Sequence, residues 1–445
     1  MLSSADRDLV QRDPALPGLR TLLDPEAFIA ELTGVLSETS TAQVDMYYLR
    51  YKPGTNCLAK FRMALNGETI WGYAKTYGGN ISSKFTKACQ RPTVLTSLGP
   101  GRVLLVDSAI EVVFFPNDSK LETLQQLIDD GKRPEVLQAL VPDAPQLWQG
   151  TLTSLSYKPE RRFVARLDVD GEPCAVVKLY ADRDFQDARN TAEAVQSAGV
   201  LQLPDRLGSS GHYQMVILEW LPGQPLHQFM TGPSVDRSVV RNVGAALAEL
   251  HNQPGKGLEK QKPKQIREKM RLATASIRFT SPPLEDLATD IDERLGRLIT
   301  SEQPELRAIH GDFYADQVLS DGDYVSIIDL DNTVRGNPAS DLGLFIAHLE
   351  QNALFEGRLK APVASVQQAL IEGYQTVRET PNEIEINLHT AAGLIQLAPH
   401  HFRNREPDWQ QRTELTLRRA MEIFESLPVH SAKAAHQPLP LGAPR

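Results

Sequence analysis

The 445-residue sequence is 41% hydrophobic and 23% charged, a balance that excludes wholesale disorder and allows two or three lobes with cores of their own. A net charge of −9 and a pI near 5.7 give no general attraction to nucleic acid or anionic lipid. Three cysteines without CxxC spacing, a charged N-terminus and no apolar run near the roughly 18 residues of a membrane span argue against a disulfide framework, a structural zinc, export and membrane insertion, so a cytoplasmic location is expected.

In chain order, the first residues read as polar turns leading to a short helix around Pro25 to Leu36, where Phe28, Leu32 and Leu36 recur at helical spacing. From Met46 to Tyr77 the pattern alternates as in strands and turns at Asn66-Gly67, predicting a hairpin with a third strand. The pattern returns downstream: LRYKPGTNCLAKFRMALNGETIWGYAKTY is echoed by LSYKPERRFVARLDVDGEPCAVVKLY through Tyr-Lys-Pro, the Gly turn and Lys-x-Tyr. A second echo in register, VVFFPNDSKLETLQQL from Val112 against VILEWLPGQPLHQFM from Val216, marks an internal repeat. Each copy is expected to run hairpin, strand ending in Lys, helix, strand and helix. From Val235 onward amphipathic helices dominate, among them RSVVRNVGAALAELHNQ and the stretches 283–299 and 410–426. The expected division is an N-terminal domain holding a degenerate repeat over 1–145, a β-rich lobe over 146–222, a helical lobe over 223–430 and a disordered tail over 431–445.

The segment from Ile309 to Leu342, IHGDFYADQVLSDGDYVSIIDLDNTVRGNPASDL, holds the chemistry. His310-Gly311-Asp312 is followed five residues on by the amide Gln317, then by a Gly-containing turn at Asp321 to Asp323, an apolar strand ending in Asp329, and Gly-Asn-Pro-x-x-Asp-Leu. Phosphoryl transfer to a hydroxyl needs a carboxylate to orient the nucleophile and accept its proton, plus oxygen ligands that fix magnesium on the phosphates. Two acids at separate chain positions meet both needs.

This order of motifs resembles the catalytic core of the aminoglycoside phosphotransferase and choline kinase group of small-molecule kinases. The resemblance implies an α+β, protein-kinase-like bilobal fold with a β-rich N-lobe and a helical C-lobe, here preceded by a domain resembling a duplicated, degenerate N-lobe. It implies Asp312 as catalytic base, Asp329 and Gln317 as magnesium ligands, and ATP or GTP as phosphate donor. Gln317 stands where the group usually has Asn and is similar in this to maltokinase-like members; Asp331 competes with Asp329 as ligand, and Asn337, where Gly-Asp-Pro is usual, reads as structural.

Upstream, the resemblance assigns Lys178, at the end of AVVKL, to the α- and β-phosphates, with Glu193 as its counter-charge. Glu219, Trp220 and Leu221 would form the hinge whose backbone reads the base, and the turn Lys158 to Arg162, in place of GxGxxG, would bring Arg161 or Arg162 to the phosphates. The first copy has Lys75 at the position of Lys178, but no acid follows it in GGNISSKFTKACQRPTVLTSLGPGR, so its lysine is expected to lack a partner of that kind and the copy to cap or prop the second. His400, His401 and Arg403 could wall the acceptor site or pack as a loop. The expected function is an ATP-dependent phosphotransferase acting on a sugar or aminosugar hydroxyl; an aminoglycoside antibiotic kinase and a pseudokinase or nucleotide-binding scaffold are the alternatives. Oligomeric state is not legible.

Overall fold

A computed structural model describes residues 2–191, 194–230, 235–299, 305–355 and 363–427. The chain divides into two compact units, one of Met1–Glu193, Pro204–Leu221 and His400–Gln410, the other of Ala194–Leu203, Pro222–Pro399 and Gln411–Arg445. Among the described residues no helix is long and apolar enough to cross a membrane.

The strands, in chain order, are β1 (Gln43–Lys52), β2 (Asn56–Leu65), β3 (Glu68–Tyr77), β4 (Arg102–Leu105), β5 (Ile110–Phe114), β6 (Thr151–Lys158), β7 (Arg162–Val169), β8 (Glu172–Tyr180), β9 (Leu201–Gln202), β10 (Arg206–Ser210), β11 (Met215–Glu219), β12 (Gln224–Pro225), β13 (Arg307–Ile309), β14 (Val318–Ser320), β15 (Val325–Ile327) and β16 (Val334–Gly336).

In the first unit β1-β2-β3-β5-β4 form one sheet, and β6-β7-β8-β11-β10 form another with the equivalent strand order. Both second hairpins close through the same turn chemistry. Asn66 and Gly67 have φ of 51° and 82°, Asp170 and Gly171 54° and 86°, the paired positive φ that a type I′ turn demands and that Asn-Gly and Asp-Gly supply at least strain. A helix follows each third strand, Ile81–Cys89 in one sheet and Asp182–Thr191 in the other. Lys75 on β3 lies between Leu58 and Glu111 in register, and Lys178 on β8 between Val164 and Val216, so the two lysines occupy equivalent positions.

One core serves both sheets. Leu58, Tyr73 and Val113 of the first cluster with Phe163, Val177 and Ile217 of the second, sealed by Leu124 and Leu127 of helix Leu124–Ile128 and by Leu137 and Leu140 of helix Arg133–Leu140. At about 2 kcal/mol for each fully buried large apolar side chain, this shared layer ties the sheets together. The boundary expected after residue 145 therefore falls inside a compact unit.

Two features depart from the sequence reading. Residues expected as polar turns form helices Ser4–Arg12 and Leu19–Leu23. The Ser3 hydroxyl caps the first by accepting from the Asp6 amide, and the Asp6 carboxylate takes both arms of Arg405 at 3.0 Å. Each sheet also holds one strand more than expected after its helix, β4 and β10.

The second unit is mainly helical, with Arg237–Asn252, Pro263–Thr280, Glu285–Ile299, Pro338–Phe355, Val363–Gln375 and Glu383–Leu397 as its long helices. Helices Arg237–Asn252 and Val363–Gln375 touch backbone to backbone: a Cβ on Gly244 would lie 2.0 Å from the Leu370 carbonyl oxygen, and one on Gly373 1.9 Å from that of Arg241. A small sheet, β12-β14-β15-β9, and the pair β13-β16 carry the motifs. The tail over 431–445 lies outside the described residues.

Candidate active site

The site of the second unit is built on β13 and β16, which pair antiparallel; the chain between them carries every catalytic-loop motif residue from His310 to Asp329. Gly311 has φ of +78°, and a Cβ there would lie 2.4 Å from the Asn332 carbonyl oxygen, so only glycine fits where the two ends of this loop cross. The loop is anchored by Asp341, 1% exposed, whose two oxygens accept the amides of His310 at 2.6 Å and Gly311 at 2.9 Å. His251 Nε2 stands 3.1 Å from the same carboxylate, to which it donates, while its Nδ1 lies 2.9 Å from the Tyr374 hydroxyl. Burial works to raise the Asp341 pKa, but the hydrogen bond from His251, the electrostatic pull of the His251 and His310 rings and the Gly311 amide outweigh it and hold the carboxyl below its usual range.

His310 then joins the two candidate acids. Its fully buried ring lies with Nε2 2.9 Å from the Ile328 carbonyl oxygen and with Nδ1 accepting the Asp312 amide at 3.3 Å. One imidazole thus fixes the residue carrying the first carboxylate and the residue immediately before the second. Gln317 is held to the same place by its backbone, whose carbonyl accepts the Ile328 amide at 2.9 Å. Asp329 adopts the left-handed conformation, φ 60° and ψ 50°, rare for a residue with a side chain and frequent at functional sites.

Tyr314 reports on all three. Its phenol is pushed up to about 12 by burial and by the charges of Asp312, Asp316 and Asp329, while a hydrogen bond from the Gln317 side chain works the other way. Its ring stacks on His348, centroids 4.4 Å apart and planes 13° from parallel, and burial pulls that imidazole down to about 4, leaving it neutral near pH 7. Asp312, Gln317 and Asp329 thus all bear electrostatically on this phenol. Sequence reasoning assigned no role to Tyr314, His251 or His348. Asp331 follows in the turn Leu330–Asn332, and Asn337 caps helix Pro338–Phe355 by accepting the Ala339 amide at 3.0 Å, as its structural reading expects.

Among the described residues no three His, Cys, Asp or Glu side chains gather to hold a metal by themselves. Two half-buried carboxylates and an amide oxygen are nevertheless the donor set of a hard divalent cation that keeps part of its shell for water and phosphate.

In the first unit, Lys178 is buried at 6% exposure. Glu193, its expected counter-charge, lies outside the described residues. Strand β11, expected to lead into the hinge, ends at Glu219, whose amide donates to the Asp205 carbonyl oxygen at 2.8 Å, and the Trp220 amide donates to that of Cys174 at 3.3 Å. Neither amide can reach a base without giving up a bond, which limits the expected base reading to the carbonyls and Leu221. The Arg166 guanidinium sits 5.8 Å from the Trp220 ring centroid. Arg162 opens β7 opposite Lys158 and Tyr180, and exposed Arg161 lies 3.4 Å from Asp184.

Lys75, with no acid in the segment after it, has an acidic partner of another kind: its ammonium lies 2.7 and 2.9 Å from the two oxygens of Glu160, in the turn of the other sheet, a contact no local pattern could reveal. His401 is buried with Nδ1 2.6 Å from Glu406, and Phe402 packs on Tyr51 and Trp409, so this segment is packing within the first unit.

A model described as the phosphotransferase enzyme family matches residues 158–380. Among solved structures, the choline kinase of Cryptosporidium parvum Iowa II is 12% identical with a TM-score of 0.50, over 68% of this chain and 97% of its own. A choline/ethanolamine kinase family protein from Mesorhizobium loti is 16% identical, TM-score 0.47, over 68% and 97%. A spectinomycin phosphotransferase, solved with ADP and spectinomycin, is 15% identical, TM-score 0.43, over 67% and 94%. No curated protein matches the chain. The family match begins at Lys158, so β1 to β5 lie outside it.

Proposed function

From the premise that this chain belongs to the phosphotransferase enzyme family over residues 158–380, we propose that it moves the γ-phosphate of ATP or GTP to a hydroxyl of a small sugar or aminosugar. It is a small-molecule phosphotransferase; acceptor, nucleotide and residue roles are our reading. The observation that carries them is the His310 clasp on the Asp312 amide and the Ile328 carbonyl oxygen. Asp312 orients the acceptor hydroxyl and takes its proton as the oxygen–phosphorus bond forms and the nucleoside diphosphate leaves. Asp329 and Gln317 would hold magnesium, which when bound supplies charge to neutralise the phosphate oxygens. Lys178 and Arg162 attract the phosphates, and the carbonyls of Glu219 and Trp220 together with Leu221 hold the base.

We read the first sheet as a duplicated nucleotide-binding lobe without catalysis. The equivalent strand order, the shared turn and Lys75 in the register of Lys178 support this, and no catalytic loop follows it before β6.

Gln317, in its similarity to maltokinase-like members, favours a sugar acceptor. Incubating the protein with ATP and magnesium against monosaccharides, disaccharides and aminoglycosides tests this. Transfer to a sugar supports the reading; transfer only to aminoglycosides replaces the acceptor, and nucleotide binding without transfer to any acceptor leaves a pseudokinase.

A further inference from the structure

The buried Lys75–Glu160 pair connects the sheet outside the family match to the turn inside it. We infer that the first sheet, through Lys75, shapes the Lys158–Arg162 turn into a cationic seat for the nucleotide's phosphates. This rests on the nucleotide reading above and names how that site is held.

The turn divides by exposure. Pro159 and Glu160 are buried, whereas Lys158 and Arg161 are exposed and Arg162 half-buried. Among the described residues, side chains of the first sheet and of the segment after it anchor the buried side. Lys60 Nζ donates to the Tyr157 carbonyl oxygen at 2.6 Å, and Arg50 donates to that of Pro159 at 3.1 Å. Asp118 takes the Tyr157 hydroxyl at 2.8 Å and the Glu160 amide at 2.7 Å. The Glu160 carboxylate receives Lys75, the Ser119 hydroxyl at 3.2 Å and Arg50.

Two consequences follow. Glu160 sits at φ +58°, a conformation that costs a side-chain-bearing residue about 1 kcal/mol or more and persists only when its surroundings impose it. Its negative charge, which would repel a triphosphate, is turned inward and neutralised by Lys75 and Arg50, so the turn's own outward side chains are the cations Lys158, Arg161 and Arg162, with Asp184 of the following helix 3.4 Å from Arg161. A segment lacking the flexibility and close approach of a glycine-rich loop is thus preorganised from behind, and preorganisation is gained as affinity. Lys75 is in this sense a positioning residue: it acts on the phosphates through Glu160 and the turn.

The test titrates full-length wild type, Lys75→Met, Lys75→Arg and Glu160→Gln with ATP, GTP and adenosine by calorimetry, with melting recorded for each. Lys75→Met is expected to weaken the preferred triphosphate by about tenfold, leave adenosine within about twofold, and be largely restored by Lys75→Arg. Glu160→Gln, which keeps the turn's shape better than a methionine at 75, covers the case in which Lys75→Met does not fold, and is expected to weaken the triphosphate in the same selective way. Unchanged triphosphate affinity in the folded variants, or equal loss for adenosine, overturns the inference while the nucleotide reading stands. Absence of any triphosphate binding by wild type overturns the nucleotide reading itself.

Discussion

The two sheets of the first unit share strand order, hairpin turn and lysine register, yet their lysines live in different company. Lys178 is flanked across its sheet by Val164 and Val216, apolar neighbours that leave the direction of its charge to what lies beyond the strand. Lys75 is flanked by Leu58 and Glu111, but Glu111 is already engaged by the Tyr77 hydroxyl at 2.6 Å and by Arg102 at 2.9 Å, and the ammonium goes to Glu160 instead. The helices that follow differ in the same sense. Phe185 and Ala188 of Asp182–Thr191 pack on Tyr180 and Val216, whereas Ile81–Cys89 buries only Ala88. Strand pairing and turn chemistry preserve a topology; the partner of one charged group decides what that topology is for.

The strongest way to break this comparison is to separate the sheets. Deleting residues 1–145 strips Leu58, Tyr73 and Val113 from Phe163, Val177 and Ile217, and each such exposure costs about 2 kcal/mol, so the remainder is expected to show no cooperative melting by calorimetry. A truncated chain that melts cooperatively and transfers phosphate would show two independent sheets. Next in size is the contrast between the lysines. Lys178→Met is expected to lower turnover by about 10²- to 10³-fold, while Lys75→Met acts mainly on triphosphate affinity. Similar kinetic profiles for the two variants would erase the division of labour. The smallest effect sharpens the likeness: Gly67→Ala and Gly171→Ala, each placing a Cβ in open space at positive φ, should cost about 1 kcal/mol apiece in chemical denaturation. A large difference between them would mean the turns are not equivalent.

Much of this was legible in the sequence because turns and loops are specified locally. Asn66-Gly67, the Tyr-Lys-Pro repeat and the order His310, Gln317, Asp329 each sit within a short window, and so did the helix capped by Asp24 and the long helix Arg237–Asn252. What stayed hidden depends on distant partners or weak patterning. Strand β10, RLGSS, is half-exposed and has little apolar alternation; helix Ser4–Arg12 is polar along most of its length and gains its anchor from Arg405. Asp341 lay in a motif, but its function as the loop's anchor needs His251, and Lys75 finds Glu160 only once two sheets share a core. The use of the Glu219 and Trp220 amides depends on Asp205 and Cys174, which no motif links to a hinge.

Asp312 carries the proposed transfer step. With ATP, magnesium and the best acceptor from the screen, Asp312→Asn should bind nucleotide within about twofold of wild type and lose about 10³-fold in phosphoryl transfer, the scale of a removed general base. Turnover close to wild type in that variant would contradict the role given to Asp312 and to the loop that His310 and Asp341 hold in place.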